Sequence, residues 1–122
     1  MSDSSFPVSS FAGLTVVTTP DEIDITNAGL LREALLAAAA DGQPVVVVDM
    51  TSTEFCDSTG LNVLVRALRQ ADQAGTKLLL VVSASALHRV LAVSGVGELF
   101  RTYGSLAEAV DAAGARGPAA PS

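Results

Sequence analysis

Apolar residues fall into two kinds of pattern along the chain. Leu14 to Thr18, Val45 to Val48 and Leu78 to Val82 are short, uninterrupted and rich in β-branched or aliphatic side chains. Between them, apolar positions recur at intervals of three and four: Leu31, Leu35 and Ala38, then Leu61, Leu64, Val65 and Leu68, then Leu87, Val90 and Leu91. The first kind predicts strands and the second predicts helices with one buried face. The valine run lacks the alternation of a half-solvated strand, so it reads as a central strand covered on both faces.

Punctuation residues place the ends. Thr26 or Asn27 is positioned to cap a first helix that runs to about Ala40 and stops at Asp41-Gly42. A polar connection from Asp49 to Cys56, containing Phe55, leads to a second helix near Ser58 that Gly75 stops. Ser83 or Ser85 begins a third helix, ended by Gly95 and Gly97, and Phe100 to Tyr103 reads as a short strand. Ser105 and Glu108 have the spacing of a capping box for a last helix to about Ala113. The resulting strand–helix alternation predicts an α/β domain with a mostly parallel sheet of four to five strands and about four helices. Residues 1–12 are expected to be flexible or an edge strand, residues 13–113 the domain, and residues 114–122 a disordered Gly-, Ala- and Pro-rich tail.

Composition narrows the function classes. With 122 residues and 49% apolar side chains, one domain can bury a core without disulfides. The net charge of -6 disfavours nucleic acid and anionic membranes as partners. Neither a secretory leader nor a membrane span is legible, so a cytoplasmic location is the default expectation. Cys56 and His88 stand alone, so no metal cluster and no cofactor is expected.

The segment that can carry chemistry is Phe55-Cys56-Asp57-Ser58-Thr59-Gly60-Leu61, where a loop enters an amphipathic helix. The first turn of a helix presents unpaired N–H groups and the positive end of the dipole, which suit an anion attached to a hydroxyl there. Gly60 would keep that turn uncluttered for a partner. On spacing alone the simpler reading leads, with Asp57 or Ser58 as an N-cap. Asp24 precedes the first helix. If neighbouring strands run parallel, it reaches the same sheet edge as Ser58, either to orient the hydroxyl or as a solvated loop residue or helix-start charge. A Ser58 hydrolase would need an adjacent base, and His88, on a helix between Leu87 and Arg89, reads as solvated; the motifs of nucleotide-processing loops are missing. Cys56 reads as a small buried hydrophobe.

Taken together, four parts of the chain resemble the STAS-domain anti-anti-sigma factors of bacteria: Glu22-Ile23-Asp24 with Thr26-Asn27-Ala28, the strand Val45 to Met50, the Phe55-Cys56-Asp57-Ser58-Thr59-Gly60-Leu61 motif, and Leu87 to Phe100 with Ser94-Gly95. The resemblance spans about residues 14–113 and departs from the family where Pro20-Asp21 precedes Glu22 in place of a common glycine. It implies a regulator and not an enzyme. Ser58 would be the phosphorylation site, with Asp24, Asp57, Thr59 and Gly60 around it. The implied partners are an anti-sigma factor that is also a serine kinase, and a serine phosphatase that resets the switch. Ser58, Thr59, Asn62 and Arg66, with Arg69, are candidate contact residues; for each of the last three, a plain solvated helix face is the simpler reading. A monomer is expected. The alternatives are a STAS module of a larger stress-sensing assembly and a small serine-dependent enzyme.

Overall fold

The computed structural model describes residues 6–40 and 42–116. Five strands form one sheet in the order β1-β2-β4-β6-β7: β1 (Val8–Phe11), β2 (Leu14–Thr18), β4 (Val45–Met50), β6 (Lys77–Val82) and β7 (Arg101–Tyr103). β1 pairs with β2 antiparallel; all other neighbours in this sheet are parallel. Four helices connect them: α1 (Ala28–Ala40), α2 (Ser58–Ala74), α3 (Ser85–Ser94) and α4 (Leu106–Arg116). This is the mostly parallel α/β architecture that the patterning predicts.

The valine run explains why β4 lies at the centre. Val46 and Val48 enter the larger core, beneath α1, α2 and α3, while Val47 faces the smaller one with Val16, Leu79 and Val81 beneath α4. All three are essentially without solvent exposure. Burying such a side chain contributes about 1.5–3 kcal/mol, and a strand covered on both faces draws on this at successive residues, here Val46, Val47 and Val48.

Several details differ from the sequence expectation. A second, two-stranded sheet, β3 (Glu22–Ile23) with β5 (Phe55–Cys56), lies inside what read as connecting loops. The third helix starts at Ser85, one of the two expected starts, but behind Ala84 and without a side-chain cap; Ser83 donates to the Gly104 carbonyl at 3.0 Å. The Ser105–Glu108 box is displaced by one residue. Ser105 Oγ accepts from the Glu108 amide, but the Glu108 carboxylate takes the N–H of Gly104. α4 continues through Gly114 to Arg116, past the Ala113 end that was expected. A glycine in a last turn removes about 1 kcal/mol of helix propensity, not enough to end a helix whose preceding turns are packed on the sheet. Met1–Ser5, Asp41 and the expected tail from Gly117 lie outside the described residues. Gly42 and Gly95 do adopt the left-handed conformation expected of helix stops, with φ of 77° and 81°.

Candidate functional site

The placement of Ser58 begins with two hydroxyls. Thr19, at the end of β2, and Thr53, in the connection after β4, are both buried and share a hydrogen bond. Thr53 Oγ1 also donates to the Pro20 carbonyl. Buried polar groups are tolerated only when paired, so these contacts fix the two loops against each other. The Glu54 amide then donates to the Asp21 carbonyl at 2.8 Å, and β3 and β5 pair with Ile23 opposite Cys56. The Asp57 amide continues this ladder to the Ile23 carbonyl at 3.0 Å. None of this stitching was legible beforehand; a threonine in a polar run gives no signal that it will be buried.

The ladder delivers the chain to the start of α2. Asp57 is the N-cap, extended at φ −83° and ψ −178°, and its Oδ1 accepts from the Gly60 amide at 3.1 Å. The first intrahelical bond runs from the Leu61 amide to the Asp57 carbonyl at 3.0 Å. Of the two cap candidates, the structure therefore selects Asp57 and leaves Ser58 as the first helical residue. Ser58 is exposed, and its hydroxyl has no hydrogen-bond partner among the described residues. The Ser58 and Thr59 amides, the first two of the helix, are likewise without an acceptor among the described residues.

Gly60 serves a different purpose from the one expected. It is buried, and a Cβ there would sit 2.6 Å from both Cys56 Sγ and Ile23 Cγ2. Its missing side chain lets α2 close onto the small sheet; it does not open space for a partner. Cys56 itself is buried, as expected, and burial together with the nearby Asp57 charge pushes its thiol up to about 12.

Asp24 follows Ile23 and so emerges beside Asp57 and Ser58, but its carboxylate is engaged elsewhere. Oδ1 accepts from both the amide and the hydroxyl of Thr26, and the Asp24 carbonyl accepts from the amides of Asn27 and Ala28. Asp24 thus opens the turn that leads into α1, while Asn27, one of the two expected caps, directly precedes Ala28; its carbonyl accepts the Leu31 amide at 3.2 Å and its Oδ1 accepts the Asp24 amide at 2.9 Å. No hydrogen bond joins it to Ser58 among the described residues. The bonds from Thr26 hold its carboxyl below the ordinary 3.8. A carboxyl depressed on folding adds stability above its unfolded pKa and loses it as pH falls through the folded value. The melting temperature of the wild type should therefore drop more steeply than that of Asp24→Asn as the pH is lowered from neutrality through 3.8 and below. Parallel melting curves for the two proteins would contradict this assignment.

Asn62, Arg66 and Arg69 are exposed on α2 at four, eight and eleven residues from Ser58, so they share its face. Two exposed apolar residues lie on the segments that lead into the site: Phe55 on β5, already part of the segment noted in the sequence, and Ile25 directly after Asp24, which was not; they are 47% and 75% exposed. Exposed apolar groups around a free hydroxyl are the composition of a protein-contact surface. His88 is exposed as expected, yet its Nε2 lies 3.1 Å from the Val82 carbonyl, so the ring is fixed to the end of β6. Among the described residues, no helix is long and apolar enough to cross a membrane.

Comparison with known proteins follows this geometry. The model of the STAS domain matches residues 7–109. The anti-sigma-F factor antagonist RsfB of Mycobacterium tuberculosis is 30% identical over 98 residues, covering 80% of each chain. The crystal structure of an anti-sigma factor antagonist from Mycobacterium paratuberculosis superposes with a TM-score of 0.80 at 29% identity, covering 88% of this chain and 92% of that one. The anti-sigma factor antagonist SpoIIAA in its unphosphorylated form shares the fold, with a TM-score of 0.73 at 17% identity over 93% of this chain and 98% of that one.

Proposed function

The chain belongs to the STAS-domain family, and from that premise we propose that it is an anti-sigma factor antagonist switched by phosphorylation of Ser58. In the unphosphorylated state it binds an anti-sigma factor, which releases a sigma factor. The anti-sigma factor is also the serine kinase and brings the ATP. Transfer of the γ-phosphoryl group to Ser58 Oγ releases the antagonist, and a serine phosphatase restores the hydroxyl. The protein is then a kinase substrate acting in the cytoplasm and not itself a catalyst.

The observation that carries this reading is the state of Ser58: exposed, its hydroxyl without a hydrogen-bond partner among the described residues, and first in a helix whose N-cap position is already filled by Asp57. A structural cap would have used its hydroxyl on the helix. Here the hydroxyl is free for an in-line transfer, and the Ser58 and Thr59 amides with the helix dipole accommodate the dianion that results. Phosphate adds about -1.5 to -2 charge at pH 7, which the domain tolerates and a docked apolar surface does not. Phe55 and Ile25 supply the apolar part of that contact, and Asn62, Arg66 and Arg69 its polar margin.

The test is direct. Incubated with ATP and the anti-sigma kinase of its own genome, the protein should gain one phosphate, located on Ser58 by peptide mass spectrometry, and Ser58→Ala should gain none. Full modification of Ser58→Ala would remove Ser58 from the switch.

A further inference from the structure

We infer that the outer edge of β1 is a self-pairing surface, through which two copies of this chain join their sheets in one fixed register. The expected monomer is then the dilute state of a weak dimer.

The edge has a defined hydrogen-bonding pattern. The Thr18 amide donates to the Pro7 carbonyl at 2.9 Å. Pro7 and Thr18 are thus a hydrogen-bonded pair of the antiparallel ladder, and pairs alternate along it. Ser9–Val16 and Phe11–Leu14 are then hydrogen-bonded pairs as well, consistent with the observed register. The turn agrees: Ala12 and Gly13 both have positive φ, 53° and 85°, as in a two-residue type I′ hairpin closed by the Phe11–Leu14 pair. It follows that Val8 and Ser10 turn their N–H and C=O groups away from β2, toward an edge that is open among the described residues. The one missing donor on the strand, at Pro7, faces β2 and costs the outer edge nothing.

Those four outward groups are self-complementary. In an antiparallel pairing centred on Ser9, Val8 lies opposite Ser10 of the second copy and Ser10 opposite its Val8. Each such pair exchanges two bonds, so four N–H···O=C bonds form and none of the outward groups of Val8 and Ser10 is left over. The same register sets Pro7 against Phe11 of the second copy on one face, which covers an aromatic ring now 47% exposed. Val8, 51% exposed, is partly covered on the other face.

Two further features single out this edge. Soluble proteins protect open strands with charges, proline or extreme shortness. β7, at the opposite edge, is three residues long and begins with Arg101. By contrast, Phe6 to Pro20 contains no charged residue in a chain with 20 of them, 7 basic and 13 acidic. Among the described residues the charged side chains therefore lie outside the hairpin. Phe6, buried at 4% exposure, anchors the strand start, so the edge is already ordered before it pairs. A four-residue edge gives a small contact and a concentration-dependent dimer.

The full chain should be followed by sedimentation or light scattering over a concentration series. The average mass is expected to rise from 12.4 kDa toward twice that value. Ser10→Pro removes one outward N–H per copy and leaves the β1–β2 bonds untouched; it should weaken association by roughly tenfold or more with an unchanged circular dichroism spectrum. Register is tested separately by cysteines. Ser9 would face Ser9 of the second copy across a close non-hydrogen-bonded pair, with Cα atoms about 4.5 Å apart. Ser9→Cys should therefore cross-link under mild oxidation, while Val8→Cys, offset from its own counterpart, should not. A wild type that stays at 12.4 kDa throughout, a dimer indifferent to Ser10→Pro, or equal cross-linking of the two cysteine variants would each overturn the inference.

Discussion

Ser58→Asp is expected to lower affinity for the anti-sigma partner by at least about a hundredfold, while Ser58→Ala binds as the wild type does. The argument is one of desolvation. A neutral hydroxyl among Phe55 and Ile25 can be buried by a partner at little cost. A carboxylate in the same place must shed its water, and an unpaired buried charge costs several kcal/mol, where about 2.7 kcal/mol already corresponds to a hundredfold change in affinity. The same carboxylate should not harm the free domain. At the first position of α2 it meets the positive end of the helix dipole and adds about 0.3–1 kcal/mol of stability. Calorimetric titration with the partner, alongside thermal melts of both variants, separates the two effects. Binding lost with melting unchanged or raised is the expected outcome; equal affinities for the two variants would contradict the charge mechanism.

Gly60→Ala is expected to destabilise the domain by about 2 kcal/mol, against its helix propensity. In an open helix the change would stabilise by about 1 kcal/mol. Here the new methyl would meet Cys56 Sγ and Ile23 Cγ2 at 2.6 Å, closer than van der Waals contact allows. Neither neighbour can withdraw. Ile23 is fully buried and β-branched, with little rotamer freedom, and Cys56 is 1% exposed. Overpacking of this kind costs about 1–3 kcal/mol and sometimes more, and a loss of about 2 kcal/mol would lower the melting temperature on the order of 10 °C. Adding Cys56→Ala, which removes one of the two obstructions, should recover part of the loss. A Gly60→Ala variant as stable as the wild type would mean that α2 sits further from the small sheet.

Much of the fold was legible because it is periodic. The three apolar runs and the three- and four-residue spacings fixed the main strands and helices, and the position of Ser58 at a helix start followed from them. What was missed has no period. β3 and β5 are two residues each, too short for any alternation to register, and they exist because the Thr19–Thr53 pair holds their loops together. Asp24 illustrates the limit at the site. Its approach to the Ser58 edge followed from parallel topology, but whether its carboxylate faced Ser58 or Thr26 depended on local hydrogen bonding that spacing does not encode. Gly60 was recognised as special for the wrong reason, since burial against Ile23, 37 positions earlier in the chain, is a tertiary fact.

Cys56 lies two residues before the proposed acceptor serine, buried and with its thiol pushed up to about 12. Only the thiolate reacts readily with peroxides or disulfides, and at neutral pH a thiol so perturbed is almost entirely protonated. The proposed phosphorylation site thus rests on a sulfur held in its less reactive thiol form. For the switch proposed here, oxidation of Cys56 is therefore a poor route to altering the helix start that carries Ser58.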